Sequence, residues 1–171
     1  MRNKQYKKTE DKILTVFFDN PNCTMWQLAK MAGLARSTIY THYHSIHEIV
    51  SDCEEDILAE YKNIFNEKMQ NKKVNLKMLY LDMLVFIVRN RQVFKIFWKF
   101  KDREVVIKMI LTLESETREP EKILKICASE ITEIIFEWGE GGFLENEMGK
   151  VLSDIMYLAR TCHERLGPAG R

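Results

Sequence analysis

This sequence predicts an all-α protein: an N-terminal three-helix domain with a helix-turn-helix, then a larger C-terminal helical domain, about nine helices in all. Three observations carry that expectation. Between Gly33 and Gly139 there is no Gly, and Pro120 is the only Pro, whereas a β-protein needs turn residues every ~8–12 positions. Apolar residues recur through that stretch at steps of three and four, the period of an amphipathic helix. Capping boxes at Thr24/Gln27 and Ser45/Glu48 mark two helix starts, because a Ser or Thr hydroxyl and a Gln or Glu three residues on satisfy each other's backbone N–H.

A first helix is predicted from about Thr9, with Glu10 and Asp11 at its positive end and Ile13, Leu14, Phe17 and Phe18 on its apolar side. Asp19–Cys23 reads as a turn. Thr24 then opens a short helix with Leu28 and Ala29 inward, Gly33 supplies the tight bend, and a second short helix carries Ile39, four residues before Tyr43. From Ser45 a long helix is predicted, with Ile46, Ile49, Val50, Cys53, Ile57, Tyr61, Ile64, Phe65 and Met69 on one face. Its length suits a connection between the small and the large domain. After a polar break at 70–75, ending in Asn75 as N-cap, a fifth helix buries Leu76, Leu79, Tyr80, Met83, Leu84, Ile87 and Val88. An aromatic segment over Val93–Phe100 precedes a seventh helix with Val105, Val106, Met109, Ile110 and Leu113. Pro120 is placed to open the eighth, whose face is Leu124, Cys127, Ile131, Ile134, Ile135 and Trp138, and Gly139, Gly141 and Gly142 are expected to stop it. The ninth carries Met148, Val151, Leu152, Ile155, Leu158, Ala159, Cys162 and Leu166, before a tail at 167–171 expected to be disordered. Domain boundaries of 1–47 and 48–171 follow.

The segment TMWQLAKMAGLARSTIYTHY (24–43) carries most of the functional information. A helix, a Gly turn and a second helix form the arrangement whose second helix enters the DNA major groove. Thr24, Leu28-Ala29, Ala32-Gly33-Leu34, Thr38-Ile39-Tyr40, His42-Tyr43, Ser45 and Glu48-Ile49 stand at the spacing found in the TetR/AcrR family of transcriptional regulators. The first 60 residues resemble that family; the remainder resembles it only in layout. The resemblance implies a sequence-specific regulator, a repressor released from DNA by a small-molecule effector, dimerising through its last two helices on a pseudo-palindromic duplex. It places DNA contacts on Thr24, Met25 and Trp26 and on Arg36, Ser37, Thr38, Tyr40, Thr41 and His42. Arg36 is suited to a guanine edge, because its planar fork bridges O6 and N7. Tyr40 and His42 would hold phosphates; the lesser alternative is that Thr38 is a packing residue and Tyr40 fills the small core. Two positions depart from the family pattern: Ala35 where Ser usually caps the second helix, and Ile46 where Lys is common. Lys4, Lys7 and Lys8 in the leading arm could compensate through the backbone or minor groove. The alternative is a TetR-like helical adaptor that has lost operator binding and acts through a protein partner.

The net charge of +1 hides an asymmetry, since residues 1–47 hold seven Lys/Arg against three Asp/Glu, the direction that attraction to phosphate requires. Hydrophobic residues at 46% are enough for a sizeable core. The four Cys at 23, 53, 127 and 162 show no pairing pattern, no apolar run approaches a membrane span, and Arg2–Asp11 is too polar for a signal peptide. A cytoplasmic protein with reduced thiols and no membrane partner is expected. His42, His44 and His47 lack the paired spacing of a zinc site, so solvated or phosphate-facing roles are expected and no metal or cofactor is implied. No Gly-rich phosphate loop or nucleophile elbow is present, which argues against an enzyme.

In the larger domain Phe94, Phe97, Trp98 and Phe100, with Tyr61, Tyr80, Met83 and Met109 nearby, are where a pocket for a small apolar or aromatic effector is expected. Ordinary core is the other reading of the same residues. The apolar faces of the last two helices are expected to need a partner surface, giving a four-helix-bundle homodimer.

Overall fold

A computed structural model describes residues 4–70, 75–114 and 121–166. Among them the regular structure is entirely helical, with nine α-helices and one 3-10 turn, as the missing Gly and Pro require. The chain divides into two units, Met1–Glu55 and Asp56–Arg171.

In the first unit, α1 (Lys4–Asp19) packs on α2 (Met25–Met31), which packs on α3 (Arg36–Tyr40). The core is Ile13 and Phe17 of α1, Met25, Leu28 and Ala29 of α2, Ala32, Ile39 and Tyr43, with Ile49, Val50 and Cys53 from the start of α4 (Ile46–Met69). Helix α1 begins at Lys4 rather than Thr9, and no acidic residue lies in its first turn. Thr9 is mid-helix, its hydroxyl donating to the Gln5 carbonyl at 3.0 Å. Lys4, Lys7 and Lys8 therefore sit on a helix and not on an extended arm of the kind that threads a minor groove. At the start of α4 the Glu48 N–H reaches Ser45 Oγ at 3.1 Å. The Glu48 carboxylate closes on the His44 N–H at 2.6 Å, one residue before the cap expected from the pattern.

The second unit contains the rest of α4, α5 (Leu76–Arg89), α6 (Arg91–Lys99), α7 (Glu104–Glu114), α8 (Glu121–Glu140), the 3-10 turn Glu145–Glu147 and α9 (Met148–Leu166). Helix α8 packs between α7 and α9, and α5 contacts α6, α7 and α9. Asn75 caps α5 as expected, its Oδ1 accepting the Met78 N–H at 3.0 Å. Lys68 of α4 pairs with Asp82 of α5. Helix α6 closes with Lys101 in the left-handed region (φ +53°), where the Asp102 N–H reaches the Phe97 carbonyl at 2.8 Å. Pro120, the stretch 71–74 and the tail 167–171 lie outside the described residues.

One expectation is corrected here. Gly139 does not stop α8; it lies inside it and is there for close approach, because a Cβ would fall 2.6 Å from Trp98 Cζ3. The chain turns instead at Gly142 (φ +85°) and Phe143 (φ +59°). Much of the apolar face of α8 and α9 is covered within the protomer: Cys127, Ile131, Ile135, Trp138, Val151, Leu152, Ile155 and Cys162 are buried, Ile134 and Leu158 are half-buried, and the side chains of Leu124 and Leu166 lie outside the described residues. Among the described residues of this region Ile126, Leu144 and Tyr157 stay exposed, the last 71%.

Candidate nucleic-acid interface

The segment from Thr24 to Tyr43 folds as its local chemistry dictates. Thr24 Oγ1 accepts the Gln27 N–H at 3.3 Å, and Gln27 Oε1 accepts the Thr24 N–H at 2.8 Å. Gly33 takes φ +59°, and the Leu34 N–H returns to the Ala29 carbonyl at 2.9 Å, closing the end of α2 in the manner Gly permits. The turn delivers α3 with Ile39 fully buried and Arg36, Ser37, Tyr40 and Thr41 exposed. Thr38 is half-buried. Tyr40 faces outward, so it does not fill the core.

Helix α3 has five residues, and its N-cap, Ala35, makes no side-chain hydrogen bond. So short a helix does not persist on its own. Contacts around its C-terminal end hold it. Tyr43 is buried, and burial, reinforced by Glu10 and Asp52, drives its phenol far above the usual range. The His42 ring stacks on Tyr6 of α1 with centroids 3.9 Å apart, and the Tyr6 hydroxyl points at the Thr41 carbonyl at 3.4 Å. His42 Nδ1 is buried without a hydrogen-bond partner.

The residues singled out from the sequence fare differently. Thr24, Trp26, Arg36, Ser37 and Tyr40 are exposed, as is Lys7 on α1. Thr24 uses only its acceptor in the cap, so its O–H hydrogen stays free for a phosphate. Trp26 is 52% exposed with the Lys30 ammonium 5.5 Å from its ring centre. Met25 is the correction: its side chain is buried, because the first turn of α2 points that position into the core. Thr41 is spent as a donor, its hydroxyl going to the Thr38 carbonyl at 2.6 Å and the Ser37 carbonyl at 3.2 Å. Tyr6 was not singled out at all. Nothing in the spacing marks it, since its partner lies 35 residues on.

Around this face, a hollow of about 510 Å³ opens between the α1–α2 turn and α2, lined by Asp19, Asn20, Cys23, Trp26, Lys30 and Met31 among others. The charge balance is less one-sided than residues 1–47 alone suggest. Glu48, Asp52, Glu54 and Glu55 on α4 bring the first unit to neutrality. The Glu48 carboxyl is held below the ordinary carboxylate range by the His44 backbone N–H and then by its ring. His44 is thus engaged with Glu48, and among the described residues no group of three His, Cys, Asp or Glu is arranged to hold a metal.

Of the eight residues of the expected effector pocket six are packed core, and Phe100 is half-buried with the Lys99 ammonium 5.2 Å from its ring centre. Tyr61, Tyr80, Met83, Phe94, Phe97 and Met109 are buried; burial and Asp82 push the Tyr61 phenol upward. Trp98 is half-buried and stacks on Phe136 at 3.8 Å. Besides Phe136, two further rings without a periodic signature complete the cluster. Phe86 meets Tyr61 and Phe94, and Phe143 meets Phe94, Trp98 and Trp138 edge-on. Arg103 covers Phe136 at 4.5 Å while its fork binds both Glu133 oxygens, at 2.7 and 3.1 Å.

The chain is thus an all-α protein with an exposed, sharply turned helix pair in its first unit. No family model, curated protein or solved structure matches it, and no described helix is long and apolar enough to cross a membrane.

Proposed function

We propose that the protein is a sequence-specific DNA-binding transcriptional regulator of the TetR type, acting as a homodimer on a pseudo-palindromic site. The observation that carries this reading is the outer face of α3. Arg36, Ser37 and Tyr40 project from one short helix, flanked by the free Thr24 hydroxyl and by Trp26. A fork-shaped donor beside short hydroxyls is the chemistry that reads base edges, and phosphate donors around it fix register. Binding selection from a random duplex pool, followed by fluorescence anisotropy at several salt concentrations, tests it. The expected product is a pair of half-sites about one helical turn apart. Equal, salt-limited affinity for selected and random duplex contradicts it.

Dimerisation belongs to the same proposal. Ile155 is fully buried in its own protomer, so a charge there tests folding and not association. Tyr157, with Ile126, is the suitable place for a charge. An effector belongs to the proposal as well, although one entering near Trp98 must displace packed rings. The adaptor reading keeps one point in its favour, the uncapped Ala35 in a unit without net positive charge. Absence of any gel shift, together with a defined protein partner, is the result that favours it.

A further inference from the structure

We infer that Tyr6 is a positioning residue for the recognition surface: its ring is the shelf on which the C-terminal end of α3 is held in register. The inference rests on the DNA-binding reading above and adds to it a residue from α1. Tyr6 of α1 stacks on His42, and its hydroxyl reaches the Thr41 carbonyl. That contact supplies what α3 lacks. With no side-chain cap at Ala35, the five-residue helix is anchored inward by Ile39 and, just past its end, by Tyr43, which lie four apart on one line about which the segment can roll. The Tyr6–His42 stack, to one side of that line, is a further attachment. It fixes the roll, and the roll decides where Arg36 and Tyr40 project. Nδ1 of His42 is buried in this arrangement.

A residue that sets the angle of a reading helix affects discrimination more than attraction. Tyr6→Ala is therefore expected to lower the ratio of selected-site to random-duplex affinity by about 10-fold or more, with random-duplex affinity nearly unchanged. Tyr6→Phe keeps the ring and is expected to stay within about 3-fold of the parent. Tyr6→Leu replaces the alanine variant if that one does not fold. Anisotropy is measured at a temperature where thermal melts show every variant folded, so loss of folded protein cannot mimic loss of discrimination. The His42 ring-proton resonances, read without DNA, report the stack directly: the Tyr6 ring should hold them upfield in the parent and in Tyr6→Phe, and release them in Tyr6→Ala. If the parent discriminates and Tyr6→Ala discriminates equally well, the inference is overturned while DNA reading stands. If the parent itself selects no sequence, the DNA reading falls and the inference falls with it, whatever the resonances show.

Discussion

Replacing Gly139 with Ala adds one carbon where the second unit has no room for it. The new Cβ would lie 2.6 and 2.7 Å from Cζ3 and Cε3 of Trp98 and 2.8 Å from Cζ of Phe143. Unstrained carbon pairs sit about 3.5–4.0 Å apart, so two rings must retreat by roughly 1 Å. Neither retreats freely. Trp98 is stacked on Phe136, which Arg103 covers from its other side. Phe143 is buried with its backbone in the left-handed region and rings on three sides. Overpacking of this kind costs about 1–3 kcal/mol, and a clash with two held rings belongs at the upper end. Ala recovers up to about 1 kcal/mol in a helix interior. The net is a loss of about 1–2 kcal/mol, or roughly 2–8 °C in Tm for a chain of this length. Gly149 is the internal control, because its Cβ would meet nothing within 4 Å; Gly149→Ala should gain up to about 1 kcal/mol. Circular-dichroism melts of the two variants side by side decide the matter. If Gly139→Ala melts as high as Gly149→Ala, the rings are not held as described.

Ala35→Ser should supply the missing cap of α3 and stabilise the first unit by about 1 kcal/mol, seen as slower amide exchange across 36–40. Arg36→Ala should relax base preference at one position per half-site at a cost of about 1–3 kcal/mol, whereas Lys7→Ala should weaken binding to all duplexes alike and flatten the salt dependence. The Cys162 thiol is pushed up to about 12 by burial, then by Cys127 and Glu130 beside it. Its folded pKa is raised, so its contribution to stability is complete below the ordinary thiol range and is lost as pH climbs toward 12. A thiol reagent at pH 8 should accordingly label Cys162 far more slowly in the native protein than in urea, and equal rates would refute the burial argument.

Features written in adjacent residues were legible in the sequence. The Thr24/Gln27 box, the Asn75 cap, the Gly33 bend and the inward face of α7 each depend on residues within a turn or two. Features set by distant residues were not. The start of α1 was placed at Thr9 because Glu10 and Asp11 suit a helix N-terminus. The chain instead begins its helix among lysines, where Tyr6 can reach His42. A Gly-x-Gly-Gly cluster signals a chain reversal, yet it does not say that the first of those glycines is helical and lies under an indole. Phe143 lies after that cluster, outside any periodic run, so its place at the centre of the aromatic cluster had no local signature.

For the candidate site the same distinction separates what each residue type says from what its position says. Arg36 and Ser37 were legible as outward residues, because Ile39 and Tyr43, four apart, fix which side of the segment is inward, whereas Tyr40 stood open between a phosphate contact and the core. Met25 was not, since a single turn at the start of α2 offers too few residues for a period to show. The charge pattern was legible only in part. Counting to residue 47 gives a basic segment, but the structural unit runs on to Glu55 and takes in four carboxylates of α4. Bulk charge then cannot be what draws this unit to a phosphate backbone. On the DNA-binding reading, attraction would have to come from where particular donors stand, and specificity would depend on one short helix being held at one angle. That helix has no cap and only five residues. Its order is tertiary, supplied by Ile39 and Tyr43 from beneath and by Tyr6 from α1, and this is why the surface cannot be judged from the motif alone.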